Sequence, residues 1–258
     1  MLISVLLPVY NESVINLTKA ITSIISQTHT GKIEIIAVDD GSDADHNTEW
    51  LERQFGKHPI SHVEFKRFYK ENGGTASALN RAIKESKGEI LAWLSSDDLW
   101  HPNKLLVQMD RFYKVNWDWC FSGFEQITKN RIDIFVDEYF IQHGITDVSK
   151  INLAIRRRHR YDSWGSGFIN GVSCMWKRKL HDEVGLFDEK LQRAQDMDMW
   201  IRFAYKNYKV DLIGNPLVIK RAGKPSGEDM MKRGQDIAVI QGKIKNYLKG
   251  IWDVESKK

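Results

Sequence analysis

Three acidic groupings and one aromatic–polar cluster in this 258-residue chain have the types and spacing that handle a charged, activated substrate. Asp97-Asp98 follows Ser95-Ser96 and offers hard carboxylate oxygens. Such ligands hold Mg²⁺ or Mn²⁺ against phosphates, and the metal offsets charge on a departing diphosphate. The alternative is a helix start, where acids favour the helix dipole. Asp39-Asp40-Gly41-Ser42 places two adjacent carboxylates at a strand tip, so they repel and need compensation. One of them suits the imide N–H of a base such as uracil, with a simple turn as the alternative. Pro8-Val9-Tyr10-Asn11-Glu12 brings a ring and polar groups able to hold a base, or else ends a strand and caps a helix. In Gln195-Asp196-Met197-Asp198-Met199-Trp200, helical spacing puts Asp196 on the face of Met199, Trp200 and Phe203. That face turns inward or into a cleft, making Asp196 a candidate base, with an N-cap as the alternative. Asp198 lies four residues before Arg202 and is expected to pair with it on the surface.

The elements that must position these groups alternate through the first hundred residues. Apolar runs at Ile3–Pro8, Ile33–Val38, Val63–Phe68 and Glu89–Leu94 read as strands. Between them, Leu17, Ile21, Ile24 and Ile25 mark one helix, Thr48–Phe55 a short one, and Thr75–Ser86 a third that carries Ala78, Leu79, Ala82 and Ile83. Gly88 follows that third helix as a stop signal. Such alternation predicts a parallel α/β sheet with ligands at the carboxyl ends of the strands, where the polar clusters fall. The second half is less regular. Helices are expected over Asn103–Tyr113, Gln195–Tyr205 and Glu228–Tyr247, strands over Trp119–Gly123, Arg131–Val136 and Val210–Ile219, and a basic loop over Arg156–Trp164.

Composition narrows the function classes. Hydrophobic residues at 42% suffice for a full core, and a net charge of +4 is too small to argue for nucleic acid. The run Arg156-Arg157-Arg158-His159-Arg160 reads as a solvated face, with a phosphate-bearing acceptor or an anionic membrane surface next in order. Gly165, Gly167 and Gly171 lack the strand-to-helix context of a phosphate loop. Trp164 and Phe168 are expected in the core rather than stacked on a sugar ring. Cys120 and Cys174 are expected to be free, buried thiols of a reducing compartment. The start has neither the basic residues nor the apolar length of a secretory signal, and no run approaches the ~20 apolar residues of a membrane span. The expectation is a soluble or peripheral cytoplasmic protein, with contact at the inner face of the membrane allowed.

Taken in order, several stretches resemble glycosyltransferase family 2, a group of inverting enzymes with the GT-A fold. They are Ser4–Glu12, Ser23–Thr28, Ile36–Ser42, Glu71-Asn72-Gly73-Gly74 through Asn80, Ser96-Asp97-Asp98, Gly185-Leu186-Phe187-Asp188-Glu189 and Asp196–Trp200. The resemblance implies a Rossmann-like, mostly parallel sheet flanked by helices in residues 1–220, with a nucleotide-binding half (1–100) and an acceptor-binding half (101–220), before a helical C-terminal extension (221–258). It implies that Asp40 binds uracil, that Pro8, Tyr10 and Glu12 line the nucleoside pocket, and that Asn72 belongs to the nucleotide-sugar site. It also implies that Asp97 contacts ribose or sugar, that Asp98 ligates Mn²⁺ or Mg²⁺, and that Asp196 is the base. The partners implied are a nucleotide-sugar donor, probed first as a UDP-sugar, and a saccharide or lipid-linked acceptor of surface polysaccharide or glycan synthesis. Three positions depart from the family pattern: Gln195 stands where Glu is common, Leu79 where Arg is, and Ile219–Ser226 lacks a His. Lys220, Arg221 and Lys224 are the candidates to meet the diphosphate instead. The competing readings are a nucleotide-sugar binder without turnover and a sugar nucleotidyltransferase, whose glycine-rich, arginine-containing N-terminal loop is missing here.

Overall fold

The computed structural model describes residues 1–43, 61–128, 132–135, 147–158, 169–221 and 227–247. The described elements of the first hundred residues form as their periodicity predicts. Strands β1 (Ile3–Val9), β2 (Ile33–Asp39), β3 (Val63–Tyr69) and β4 (Ile90–Trp93) pair in parallel in the order β3-β2-β1-β4. β2 and β4 are buried along their whole length and β1 nearly so, because helices cover both faces of a parallel sheet. Helix α1 (Val14–Ile25) buries Leu17, Ala20, Ile21 and Ile24, and α2 (Gly74–Glu85) buries Ala78, Leu79, Ala82 and Ile83. The short helix expected at Thr48–Phe55 lies outside the described residues.

The sheet, nine strands among the described residues, continues past residue 100, and there the expectation of a mostly parallel sheet gives way to a mixed one. After β5 (Leu99–Trp100) and helix α3 (Lys104–Val115) come β6 (Trp119–Ile127) and β7 (Ile132–Phe135). Helix α4 (Val148–Arg158) precedes β8 (Met175–Lys177), and β9 (Val210–Arg221) completes the order β4-β8-β6-β9-β5, with β7 beside β6. β8 is antiparallel to both β4 and β6, whereas β9 is parallel to β6. The reversal at β8 has a steric cause. A 3₁₀ turn at Gly171–Ser173 lies directly on the Trp93 ring at the carboxyl end of β4. A Cβ at Gly171 would come within 2.1 Å of that ring, so only glycine allows the approach. β8 therefore enters at the end of β4 and runs back along it.

Arg156–Arg158, expected in a loop, instead close helix α4, where Ile151 and Ile155 are buried one turn apart. The rest of that basic stretch, with Gly165, Gly167, Trp164 and Phe168, falls outside the described residues. Cys120 and Cys174 are free and buried, as expected. No helix among the described residues is long and apolar enough to cross a membrane.

An aromatic slab underlies the acceptor half. Helices α5 (His181–Val184) and α6 (Gln195–Tyr205) pack on it. Trp119 stacks on Trp200 at 5.4 Å, and Trp176 and Phe187 meet Trp200 edge-on. His181 completes the slab as a neutral ring. Its Nδ1 bonds the Gly185 carbonyl, so Nε2 is left to accept from Trp176 Nε1–H at 2.9 Å. Burial, with help from Arg202 and Arg178, pushes its pKa down to about 4. Between pH 6.5 and 4 the unfolded chain therefore binds a proton that the folded chain refuses, so this residue's stability contribution falls as pH falls. The stability difference between wild type and His181→Leu, measured by urea unfolding at pH 7 and pH 4, should change by about 3 kcal/mol, wild type losing more on acidification. Acidic groups that titrate in the same window are present in both proteins and cancel.

Candidate active site

The carboxyl ends of β1, β2 and β4 open into a cleft of about 880 Å³. Pro8, Tyr10, Glu12, Asp40, Asn72 and Asp97 all line it, so six residues singled out from the sequence share one wall system. Tyr10 keeps 55% of its surface, leaving its ring free to stack. Glu12 serves the cap of α1 as well: its Oε1 accepts from Ser13 N–H and Asn16 Nδ2, while Ser13 Oγ accepts from Asn16 N–H. The motif therefore both lines the cleft and caps a helix.

The Asp39-Asp40 pair is compensated by donors on each residue. Ser42 N–H bonds Asp39 Oδ1 at 2.9 Å. Asp40, only 3% exposed, accepts from Lys70 Nζ (2.5 Å), Gly73 N–H (3.1 Å) and Gly74 N–H (2.7 Å). The two amides converge because Gly74 takes φ +84°, a left-handed value that a side chain would disfavour. A carboxylate has about four lone-pair sites, so Asp40 retains roughly one for a ligand. Asn72 Nδ2 bonds the Asp40 carbonyl and fixes the loop that carries both glycines.

Asp97 and Asp98 precede β5, a strand, and not a helix. Asp97 lines the cleft, while Asp98 is 3% exposed and accepts from Arg221 N–H at 3.1 Å. Burial raises the pKa of both, to about 7 for Asp98. Each also feels a like charge, Glu12 for Asp97 and Asp97 for Asp98, and Lys220 pulls both down.

Asp196 sits in the first turn of α6, past the N-cap at Ala194, so it is not the cap. It is the half-exposed residue of a helix that is otherwise buried from Gln195 to Ala204. Burial raises its pKa against hydrogen bonds from Met197 and Gly171 N–H and the charges of Lys220 and Arg233. Lys220 thus stands within electrostatic reach of Asp97, Asp98 and Asp196 together.

Asp198 pairs with Arg202 as the spacing predicts, but the pair is buried rather than on the surface. Asp198 is 0% exposed, its Oδ2 accepts from Arg202 Nε at 2.9 Å, and its Oδ1 accepts from Tyr247 O–H at 2.7 Å. The covering element is α7 (Gly227–Tyr247), whose packing a local helical wheel cannot show.

Several contributors went unassigned at the sequence level. Asn80 donates to the Phe187 carbonyl and to Glu189 Oε1 and accepts from Phe187 N–H, clamping the acceptor half to α2. Asp236 on α7 accepts from Arg193 and Ala194 N–H at 2.6 and 3.0 Å, fixing the start of α6. Lys190, Arg193 and Lys232 line the cleft. The i,i+3 and i,i+4 patterns of α7 forecast a helix but not its polar grip on α6.

A parallel N-terminal half and a mixed C-terminal half in one sheet form a GT-A architecture. Residues 4–185 match the profile described as "Glycosyl transferase family 2", and the chain belongs to that family. It is 36% identical over 204 residues to an uncharacterized glycosyltransferase of Rickettsia conorii, covering 78% of this chain and 31% of that relative. This chain therefore aligns with about a third of the relative's length. Over 133 residues, 51% of this chain and 49% of the relative, it is 31% identical to an Escherichia coli protein. That relative is named UDP-Glc:alpha-D-GlcNAc-diphosphoundecaprenol beta-1,3-glucosyltransferase WfgD. The fold aligns with TM-score 0.67 and 18% identity to a Pyrobaculum calidifontis mannosyltransferase solved with GDP-Man and Mn²⁺, covering 95% of this chain and 64% of that one.

The burial of Asp198 changes its expected mutational cost. Asp198→Asn leaves Arg202 as a buried cation without its carboxylate and should lose roughly 3 kcal/mol or more in chemical unfolding. Asp196→Asn removes a carboxylate whose ionised form burial already disfavours, and should leave stability unchanged or slightly raised.

Proposed function

We propose that this protein transfers a sugar from a nucleotide-sugar donor to an acceptor hydroxyl with inversion at the anomeric carbon. The observation that carries the reading is a cleft of about 880 Å³, large enough for a nucleotide sugar, lined by Tyr10, Glu12, Asp40, Asn72 and Asp97 at the carboxyl ends of β1, β2 and β4. Asp196 accepts the acceptor hydroxyl's proton as that oxygen bonds to the anomeric carbon. The bond from that carbon to the diphosphate oxygen breaks, and its electron pair leaves with the nucleoside diphosphate.

Donor recognition falls to the wall built by β1 and β2. Tyr10 stacks on the base, Asp40 accepts from a uracil imide through its remaining lone pair, and Asn72 holds the Asp40 loop. Glu12 and Pro8 close the nucleoside side, and Asp97 meets ribose or sugar. The WfgD name specifies UDP-Glc and a lipid-linked acceptor, which supports a UDP-sugar and a saccharide or lipid-linked acceptor here.

The residues present fit a divalent metal. Among the described residues no group of three or more His, Cys, Asp or Glu forms a protein cage. Mg²⁺ sites in phosphoryl chemistry characteristically use one or two carboxylates and take the other ligands from phosphates and water. Asp98, with a pKa raised to about 7 by burial beside Asp97, is a carboxylate that a dication would stabilise in its charged form. Asp98 would hold Mn²⁺ or Mg²⁺, which would offset charge on the leaving diphosphate.

A donor panel assayed for nucleoside diphosphate release with Mn²⁺ and Mg²⁺ tests the activity, and a protein that binds donor but releases none overturns it. Asp196→Asn should lower turnover by ~10²–10⁴ with little change in UDP affinity. Asp98→Ala should abolish turnover at saturating donor, and full wild-type activity in excess chelator would remove the metal from the scheme. UDP should bind more tightly than GDP in calorimetry. Equal affinities would defeat the uridine assignment.

A further inference from the structure

The turn that lies on Trp93 also reaches Asp196, because Gly171 N–H bonds Asp196 Oδ2 at 3.3 Å. The turn is tied within itself. Asn170 Oδ1 accepts from Val172 N–H, and the Asn170 carbonyl accepts from Ser173 N–H and Ser173 O–H. Its far end is held by helix α3. Gln108, 0% exposed, donates from Nε2 to the Ser173 carbonyl at 3.0 Å. The same amide nitrogen meets Cys120 Sγ at 3.4 Å, and the amide oxygen accepts from Lys104 Nζ.

Lys104 is the costly member of this chain of contacts. It too is 0% exposed, and its ammonium rests 4.5 Å from the centroid of the Trp100 ring. Among the described residues it has no carboxylate partner. The titratable groups that face it are Cys120 and Cys174, which burial keeps as neutral thiols. Burial lowers the lysine's own pKa to about 8, so it is an ammonium at neutral pH. An unpaired buried charge costs stability, and an apolar side chain of similar volume would avoid that cost. What the ammonium supplies is direction. It has three donors and no acceptor, whereas the two ends of an amide share a shape and have opposite roles. Lys104 therefore holds the oxygen of Gln108 and turns its NH₂ towards the Ser173 carbonyl.

We propose that Gln108, oriented by Lys104, is a positioning residue for Asp196, fixing the turn whose first N–H holds one oxygen of that carboxylate. Neither residue lines the cleft, so the pair acts through Ser173 and Gly171 alone. The catalytic consequence rests on the reading of Asp196 as base given above, whereas the chain of contacts does not depend on it.

NMR of ¹⁵N-glycine-labelled protein, following the Gly171 amide through the aspartate titration, reads the last hydrogen bond directly. In wild type that signal should move as Asp196 ionises, and Asp196→Asn should abolish the movement. A Gly171 signal indifferent to Asp196 overturns the proposal. Lys220 and Arg233 also act on Asp196, and neither is altered in the variants that follow. Gln108→Met changes no charge and should cut the movement to about half or less. Its kcat for nucleoside diphosphate release across the donor panel should fall about tenfold, with UDP affinity as in wild type. If Gln108→Met lacks a cooperative melt, Lys104→Met is read by the same criteria, since it removes only the uncompensated cation. A folded variant that keeps the full Gly171 response makes the network structural only and overturns the proposal. A reduced response with wild-type kcat overturns the positioning role. A reduced response in the variant, where wild type releases no nucleoside diphosphate from any donor, overturns the catalytic reading and keeps the hold of Gln108 on Asp196.

Discussion

The constraint on which this structure depends is the crowding of carboxylates at the carboxyl edge of one sheet. Asp39 and Asp40 stand at the end of β2, Asp97 and Asp98 lie between β4 and β5, and Asp196 is in the first turn of α6. Burial makes each charge expensive unless donors or cations meet it. The chain answers in two ways. At the β2 tip, compensation is complete and local, through Lys70 and the Gly73, Gly74 and Ser42 amides. At the β4 tip and on α6 it is incomplete. Asp97, Asp98 and Asp196 share the influence of Lys220 and all keep raised pKa values. The first arrangement gives a rigid wall. The second leaves a site whose charge balance invites a ligand that brings cations, anions or both.

That imbalance is tolerable because the two halves are tied together by polar contacts away from the cleft. Asn80 satisfies both its amide groups on Phe187 and Glu189, so helix α2 fixes the segment leading to α6. Asp236, Lys243 and Tyr247 of α7 then hold the start of α6, Asp188 and Asp198. Asp198 and Arg202 alone would be a costly buried pair. With Tyr247 on one carboxylate oxygen and the Val184 and Leu186 carbonyls on the guanidinium, it becomes part of a satisfied network.

The N-terminal half was legible because its signals are local. Continuous apolar strands, a 3.6-residue apolar period in α1 and α2, and polar residues at strand ends each speak through neighbours in sequence. The C-terminal half was less so, because long-range contacts decide it. β8 is three residues long, and its direction follows from Gly171 resting on Trp93, a contact across 78 positions that no periodicity encodes. The same limit explains Asp198. Spacing gave its partner Arg202, but its burial depends on α7, some 50 residues away. Among the six cleft residues chosen from motifs, Asn72 acts through the backbone of Asp40. That role was invisible without the turn geometry of the Gly73-Gly74 pair.

The position of Asp196 within α6 reconciles a stable helix with a carboxylate whose charged form burial disfavours. The first turn of a helix presents unpaired N–H groups and the positive end of its dipole, both of which favour an anion. Asp196 uses this: Met197 N–H bonds one oxygen, and Gly171 N–H, from the turn lying on Trp93, bonds the other. Burial still outweighs these donors, so the carboxylate holds a proton more readily than a solvated aspartate. The rest of α6 is packed into the aromatic slab and pinned by α7. The cost of keeping one half-exposed acid at its start is therefore met by contacts that do not touch that acid. The satisfied acid Asp198 and the proposed base Asp196 are different residues of one helix, two positions apart.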